Sequence, residues 1–215
     1  MSGAGAAPSE YINEKSGTMK TTVLKKSAGQ LTRWSGGTTD QILLYPPQSR
    51  LAARDFLWRL SVAEVDDEAS DFSDFTGYER ILGLREGYMA LDFGGHGSAV
   101  LSPGDTVRFD GGWRTRSRGR GKDCNLILRR GIKGCMEPLT LSESMRWRRS
   151  GQYVTEKGGC RWLLYLNSGK LTAGTEENLL TAEAGDCLVI ESGGEAGVGL
   201  TLTGTAALFE IGVAW

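Results

Sequence analysis

This sequence predicts an all-β fold built from two unequal copies of one strand-rich unit, and three observations lead there. The chain repeats itself at a distance. Shifted forward by 81 positions (161 − 80), Arg80-Ile81-Leu82 falls on Arg161-Trp162-Leu163, Gly104-Asp105 on Gly185-Asp186, Phe109 on Ile190 and Gly112 on Gly193. Short apolar stretches also recur about every 8–12 residues between glycine-rich turns, a spacing typical of β structure. Finally, 31 glycines stand against 5 prolines in 215 residues, a balance suited to dense hairpins rather than helix bundles. A duplicated unit of this size reads as a doubled barrel or sandwich.

The elements follow in order. Residues 1–18 are small and polar, lack the apolar run of a secretory signal, and are expected to form a flexible tail. Thr21-Thr22-Val23-Leu24 is a short strand. Trp34-Ser35-Gly36-Gly37-Thr38-Thr39 is a turn-rich segment leading into the strand Gln41 to Tyr45, which Pro46-Pro47 ends because proline donates nothing to a ladder. Phe56 to Val65 alternates: Phe56, Trp58, Leu60 and Val62 share one face, and Leu57, Arg59, Ser61, Ala63 and Val65 share the other. Asp66-Asp67-Glu68 closes that strand. The irregular segment Asp71 to Gly77 carries Phe72 and Phe75, which are expected to pack back onto the sheet. Strands are then expected at Ile81 to Leu84, Tyr88 to Phe93, Ala99 to Leu101, Thr106 to Phe109 and Leu126 to Leu128. Beyond the polar region Leu139 to Gly151, the second copy begins near Val154. Within that polar region Met145 to Arg149 has the most helical character in the chain, although it is short for a helix. The expected organisation is a tail over 1–18, a first unit over 19–137 and a smaller second unit over 138–215.

Composition narrows the function classes. A formal net charge of −1 gives no global attraction to nucleic acid or an anionic membrane. No apolar run reaches the ~18–20 residues of a membrane span, so a cytoplasmic location is expected. Cys124, Cys135, Cys160 and Cys187 lie far apart with no C-x-x-C spacing. Buried thiols at Cys124 and Cys187 are the expectation, rather than a zinc site or a disulfide.

His96, the one histidine, sits in Gly94-Gly95-His96-Gly97, which reads as an exposed hairpin tip. A multi-histidine metal centre is therefore excluded, and no metal or cofactor is expected. No Ser-His or Cys-His pair can be assembled, so no catalytic residue is nominated. Arg59 is the first candidate for ligand recognition. Its planar fork suits a carboxylate, and Ser61 adds a hydroxyl on the same face. The bland alternative leaves that face in solvent with Arg59 paired to an acid. Trp34, Thr38 and Thr39 form a second group. Either Gly36-Gly37 brings backbone N–H groups to an anion while a threonine donates, or the glycines serve a tight turn that Trp34 plugs. Arg80 recurs as Arg161 and Asp105 as Asp186, which argues for scaffold roles, since one ligand site needs only one copy. The basic run Arg114, Arg116, Arg118, Arg120 and Lys122 alternates in position. It reads as a solvated sheet edge that discourages strand-on-strand pairing, rather than as an RNA-binding segment.

Four motifs in order carry a resemblance. They are Trp34-Ser35-Gly36-Gly37-Thr38-Thr39; Arg54-Asp55-Phe56-Leu57-Trp58-Arg59-Leu60-Ser61; Phe72-Ser73-x-Phe75-x-Gly77-x-x-Arg80; and Gly111-Gly112-Trp113-x-Thr115-x-Ser117-x-Gly119 with Asp123-Cys124-Asn125-Leu126. With these the chain resembles the HutD/Ves family, from Trp34 to about Gly131 by motif and beyond it by pattern. The resemblance implies a bicupin: two tandem double-stranded β-helix (jelly-roll) units packed as one protein. It implies a small-molecule pocket and a link to histidine utilisation, and Gly36, Gly37, Trp58, Asp123 and Asn125 are expected to serve the scaffold. The chain departs from other branches at Trp34-Ser35-Gly36, where some carry a longer basic turn, and at Cys124, where an aromatic is common. In metal-binding cupins a late histidine follows the glycine of the Gly-Asp turn by eleven residues; here those positions hold Thr115 and Ala196. The reading is a metal-independent, non-catalytic binder of a carboxylate from histidine breakdown, urocanate or N-formylglutamate in type, with a regulatory or flux-sensing role. Its pocket is expected in the first unit. The alternatives are a metal-independent isomerase or lyase on similar acids and an interaction protein with a filled barrel. Exposed sheet edges leave a homodimer open.

Overall fold

Strands dominate the computed structural model, which describes residues 11–14, 19–26, 29–34, 36–149, 159–174, 179–192 and 198–215. In chain order they are β1 (Tyr11–Glu14), β2 (Met19–Leu24), β3 (Gln30–Trp34), β4 (Gly37–Tyr45), β5 (Trp58–Val65) and β6 (Ala69–Asp71). Next come β7 (Tyr78–Gly87), β8 (Met89–Asp92), β9 (Ser98–Leu101), β10 (Thr106–Asp110), β11 (Arg116–Arg118) and β12 (Gly121–Arg129). The last six are β13 (Lys133–Leu141), β14 (Ser144–Arg149), β15 (Cys160–Gly174), β16 (Leu179–Glu183), β17 (Cys187–Ser192) and β18 (Val198–Ala214). Among the described residues there is no α-helix, and no helix long and apolar enough to cross a membrane.

The chain divides into two units, Gly29–Pro138 on the one hand and Met1–Ala28 with Leu139–Trp215 on the other. In the first, six antiparallel strands run in the order β10-β7-β12-β5-β4-β3, and four more in the order β6-β11-β8-β9. Period-two alternation explains how the two sheets meet. Val65, Leu82 and Leu84 from the six-stranded sheet are packed with Met89, Leu91, Phe93 and Leu101 from the other, and Phe109 completes this cluster. Each such side chain contributes about 1.5–3 kcal/mol when fully buried. A second cluster joins Phe56, Phe75, Tyr78 and Ile127. Phe72 lies 6.3 Å from Phe109, so both aromatics of the irregular segment pack inward, as the sequence suggested.

In the second unit the strand path is β1-β2-β17-β15-β18, with β16 on β15 and β14 on β18. Long β15 and β18 pair from Cys160↔Ala214 to Gly174↔Thr201, with a register shift between Leu166 and Ser168.

The duplicated Gly-Asp turns have the same construction. Asp105 Oδ2 accepts from Ser102 N at 2.8 Å, and Asp186 Oδ2 accepts from Glu183 N at 3.0 Å. Gly104 N donates to Leu84 O and Gly185 N to Leu166 O, both at 2.8 Å. Both glycines have positive φ, 95° and 93°, the left-handed region that favours a residue without Cβ.

The structure differs from the sequence reading in four places. Tyr11–Glu14, expected within a tail, pairs with β2 as a strand. Strand β2, expected in the first unit, pairs with β17 of the second (Val23↔Leu188), a long-range choice invisible to local pattern. Met145 to Arg149 is not helical. It forms most of β14 on β18, because five residues cannot pay for helix nucleation whereas a ladder satisfies their backbone at once. The basic run is not a sheet edge either, since β11 is flanked by β6 and β8. Arg116 and Arg118 point outward around buried Ser117, and Arg116, Arg120 and Lys122 face Asp71, Glu68 and Glu86. Residues 1–10, Ser35, 150–158, Gly193 and Ala196 lie outside the described residues.

Candidate functional site

Two arginines share one rung of the six-stranded sheet. Ile127 on β12 is opposite Arg59 on β5 and opposite Arg80 on β7. One step along, Asn125 lies between Ser61 and Leu82; one further, Asp123 lies between Ala63 and Leu84. Residues two apart share a face, so Arg59, Ser61, Asn125, Asp123 and Arg80 look the same way. They line a cavity of about 270 Å³. Thr39 and Trp34 border it from β4 and β3, and Phe72 and Phe75 come from the irregular segment.

The face that held the bland alternative is not in solvent. Arg59 is 7 % exposed, Arg80 6 % and Asp123 3 %. Arg59 Nε donates to Gln41 Oε1 at 3.1 Å. The Arg80 guanidinium lies 4.5 Å from the centroid of the Phe72 ring and 5.3 Å from that of Phe109, cation–π contacts that hold it without neutralising it. No ion pair joins Asp123 to either arginine among the described residues. Arg80 Nε, Asp123 Oδ1 and Asn125 Oδ1 are buried with no hydrogen-bond partner.

Burial sets the protonation of this group. It lowers the Arg80 guanidinium to about 10, against the pull of Asp123, and lowers Arg59 to about 10 with further repulsion from Arg54. Both stay cationic at neutral pH. Burial raises the Asp123 carboxyl to about 7, although Arg80, Arg85 and Arg59 each pull it down. The cavity thus holds two permanent cations and one acid on the verge of ionisation. It can grip an anion with charge-assisted donors, and Asp123 can exchange a proton near neutrality.

Of the residues nominated from sequence, Arg59, Ser61, Trp34 and Thr39 meet at this cavity, and Thr38 does not line it. Trp34 Nε1 donates to Thr39 Oγ1 at 3.1 Å. The Gly36-Gly37 backbone is taken up by a turn: Asp66 N donates to Gly36 O at 2.9 Å. A Cβ on Gly37, whose φ is +150°, would lie 1.9 Å from Glu64 O, and one on Gly36 would lie 2.1 Å from the Trp34 ring. Trp58 is fully buried and stacks on Tyr45 at 5.6 Å. His96 is exposed in the β8–β9 hairpin with its ring stacked on Trp113 at 4.4 Å. Among the described residues no group of three or more His, Cys, Asp or Glu is gathered to hold a metal.

Arg80 and Asp123 had been assigned to the scaffold, yet both line the cavity. Arg161, which the repeat aligns with Arg80, pairs with Glu191 at 2.5 Å and lies over the Trp215 ring at 5.5 Å, so the two positions have different surroundings. One signal was present: Asp123 and Asn125 stand among Cys124, Leu126, Ile127 and Leu128, which are apolar and fully buried.

The HutD family model matches residues 26–209. The chain belongs to the HutD family. No curated protein matches it. Among solved structures, PA5104 from Pseudomonas aeruginosa PAO1, a conserved protein of unknown function, is 24 % identical with TM-score 0.73, covering 90 % of this chain and 97 % of its own. HutD from Pseudomonas fluorescens SBW25 is 23 % identical with TM-score 0.66, covering 89 % and 97 %. The vicilin from Solanum melongena shares 10 % identity at TM-score 0.60, covering 89 % and 83 %. With vicilins and cupins as its structural neighbours, this HutD-family fold is a bicupin.

Proposed function

We propose that the unit Gly29–Pro138 binds a small carboxylate-bearing metabolite in the Arg59–Arg80 cavity, without metal and without turnover. One observation carries this reading: two buried guanidinium groups share a rung beside a cavity, and no carboxylate among the described residues is paired with either. A buried charge left without a counter-ion is costly, and an anionic ligand relieves that cost. Membership of the HutD family points to acids of histidine breakdown, such as urocanate or N-formylglutamate. HutD from P. fluorescens is known in a formate condition, and a structure of the S. melongena vicilin revealed different anionic ligands in structurally similar pockets. The role is to sequester or report the metabolite, in the cytoplasm, with neither nucleic acid nor membrane as partner.

Thermal unfolding of the purified protein with a panel of such acids, with and without a chelator, tests this. An acid at ~100 times its dissociation constant adds about 2.7 kcal/mol, roughly 5–11 °C for a chain of this size. The shift survives the chelator and is absent in Arg59→Ala. A panel without any shift refutes the reading, and a shift that the chelator removes refutes its metal independence.

A second reading rests on Asp123, whose carboxyl near 7 suits an acid–base group of a metal-independent isomerase or lyase. Conversion of a panel acid by wild-type protein, lost in Asp123→Asn, would replace the binding role with this one.

A further inference from the structure

The two ends of the cavity differ in hydrogen-bond sense. At the Ile127 rung stand donors, the guanidinium groups of Arg59 and Arg80. Two rungs further along β12 stands Asp123, with Asn125 between, and the arginine side chains reach back far enough for Arg80 and Arg59 to pull on its carboxyl. Here the unpartnered atoms are acceptors, Asp123 Oδ1 and Asn125 Oδ1, both inaccessible to solvent. Asp123 and Asn125 are 3 % and 8 % exposed, and both line the cavity. A ligand that offered only a carboxylate would satisfy the first end and leave the second unmet. Buried acceptors without a donor are penalised, and a site holding such acceptors discriminates strongly against ligands that lack the donor. The lining also includes Trp34 and Phe72, whose rings can pack against an apolar part of the ligand.

We propose that Asp123 and Asn125 accept a hydrogen bond from the ligand, so that the cavity selects small acids carrying an N–H donor besides the carboxylate. This rests on the carboxylate reading of the Arg59–Arg80 end and adds to it a requirement that simple monocarboxylates and dicarboxylates do not meet.

The test uses two probes of equal size and planarity, 3-(1H-pyrrol-2-yl)acrylate and 3-(furan-2-yl)acrylate, which differ by a ring N–H against a ring oxygen. Both are titrated calorimetrically into the full chain. The wild type binds the pyrrole acid at least about tenfold more tightly than the furan acid. Asp123→Ala brings the ratio below about threefold by weakening the pyrrole acid alone. Should Asp123→Ala fail to fold, Asn125→Ala gives the same one-sided loss at smaller size. Equal affinities in the wild type overturn the inference and leave the carboxylate reading standing, provided Arg59→Ala abolishes both. An equal weakening of both probes by Asp123→Ala also overturns it, since Asp123 would then act only through the arginines. If neither acid binds, the carboxylate reading and this inference fall together.

Discussion

The two units of this chain treat buried charge in opposite ways. In the second, Glu210 is 6 % exposed and fully engaged: Trp147 Nε1 donates to its Oε2 at 2.9 Å, and Arg149 binds both its oxygens through Nε and Nη2. In the first, Asp123 is as deeply buried and lines a cavity with two arginines, yet it pairs with neither and keeps an oxygen without a donor. The Gly-Asp turn is built alike in both units, so the duplication preserved the scaffold while the interiors diverged. Self-satisfied charge is a stability element. Unsatisfied charge around a cavity costs stability and is the kind of arrangement that a ligand completes.

The largest expected effect breaks the satisfied side. Glu210→Ala leaves Arg149 and the Trp147 indole without their acceptor and lowers stability by about 3 kcal/mol in urea unfolding. A loss under about 1 kcal/mol would mean that the Glu210 network is no better settled than the Asp123 group.

Next comes the unsatisfied acid. Asp123 ionises near 7 in the folded chain and near 3.9 when unfolded, so between those values the folded state binds more protons. Its contribution to stability therefore falls as pH rises from about 4 to about 7 and is flat above. Asp123→Asn removes that dependence, and its stability relative to wild type rises by roughly 2–3 kcal/mol between pH 5 and pH 8. A pH-independent difference between the two proteins would show that Asp123 is ionised and paired throughout.

Arg59→Ala sharpens the comparison from the cation's side. Its one side-chain hydrogen-bond partner among the described residues is neutral Gln41, so unfolding free energy in the absence of ligand changes by about 1 kcal/mol or less. A loss of about 2–5 kcal/mol would place Arg59 in a buried ion pair like that of Glu210. The smallest effect belongs to the lone histidine. His96→Ala, exposed and stacked on Trp113, shifts stability by no more than about 0.5 kcal/mol and leaves acid binding unchanged.

What the sequence made legible was what short range controls. The alternation of Phe56 to Val65 put Arg59 and Ser61 on one face, and the Gly-Asp turns were legible because the bonds Ser102 N to Asp105 and Glu183 N to Asp186 lie within four residues. Four ordered motifs were enough to find the family. Strand order stayed hidden, because the neighbours β5, β12 and β7 are chosen by long-range packing rather than by their own pattern. Without that order Arg80 and Asp123 had no visible relation to Arg59, and β11 looked like an edge. A polar pair beside the apolar run Leu126 to Leu128, Asp123 and Asn125, was the one local sign of these acceptors.

The most direct test of the central claim is a calorimetric titration of urocanate and of its primary amide into the metal-free protein. The two match in shape and differ in the anionic group that Arg59 and Arg80 are placed to grip. Two charge-assisted contacts predict that the acid binds at least about thirtyfold more tightly, and that binding of the acid is lost in Arg59→Ala. Equal binding of acid and amide, or binding of neither, would contradict the account.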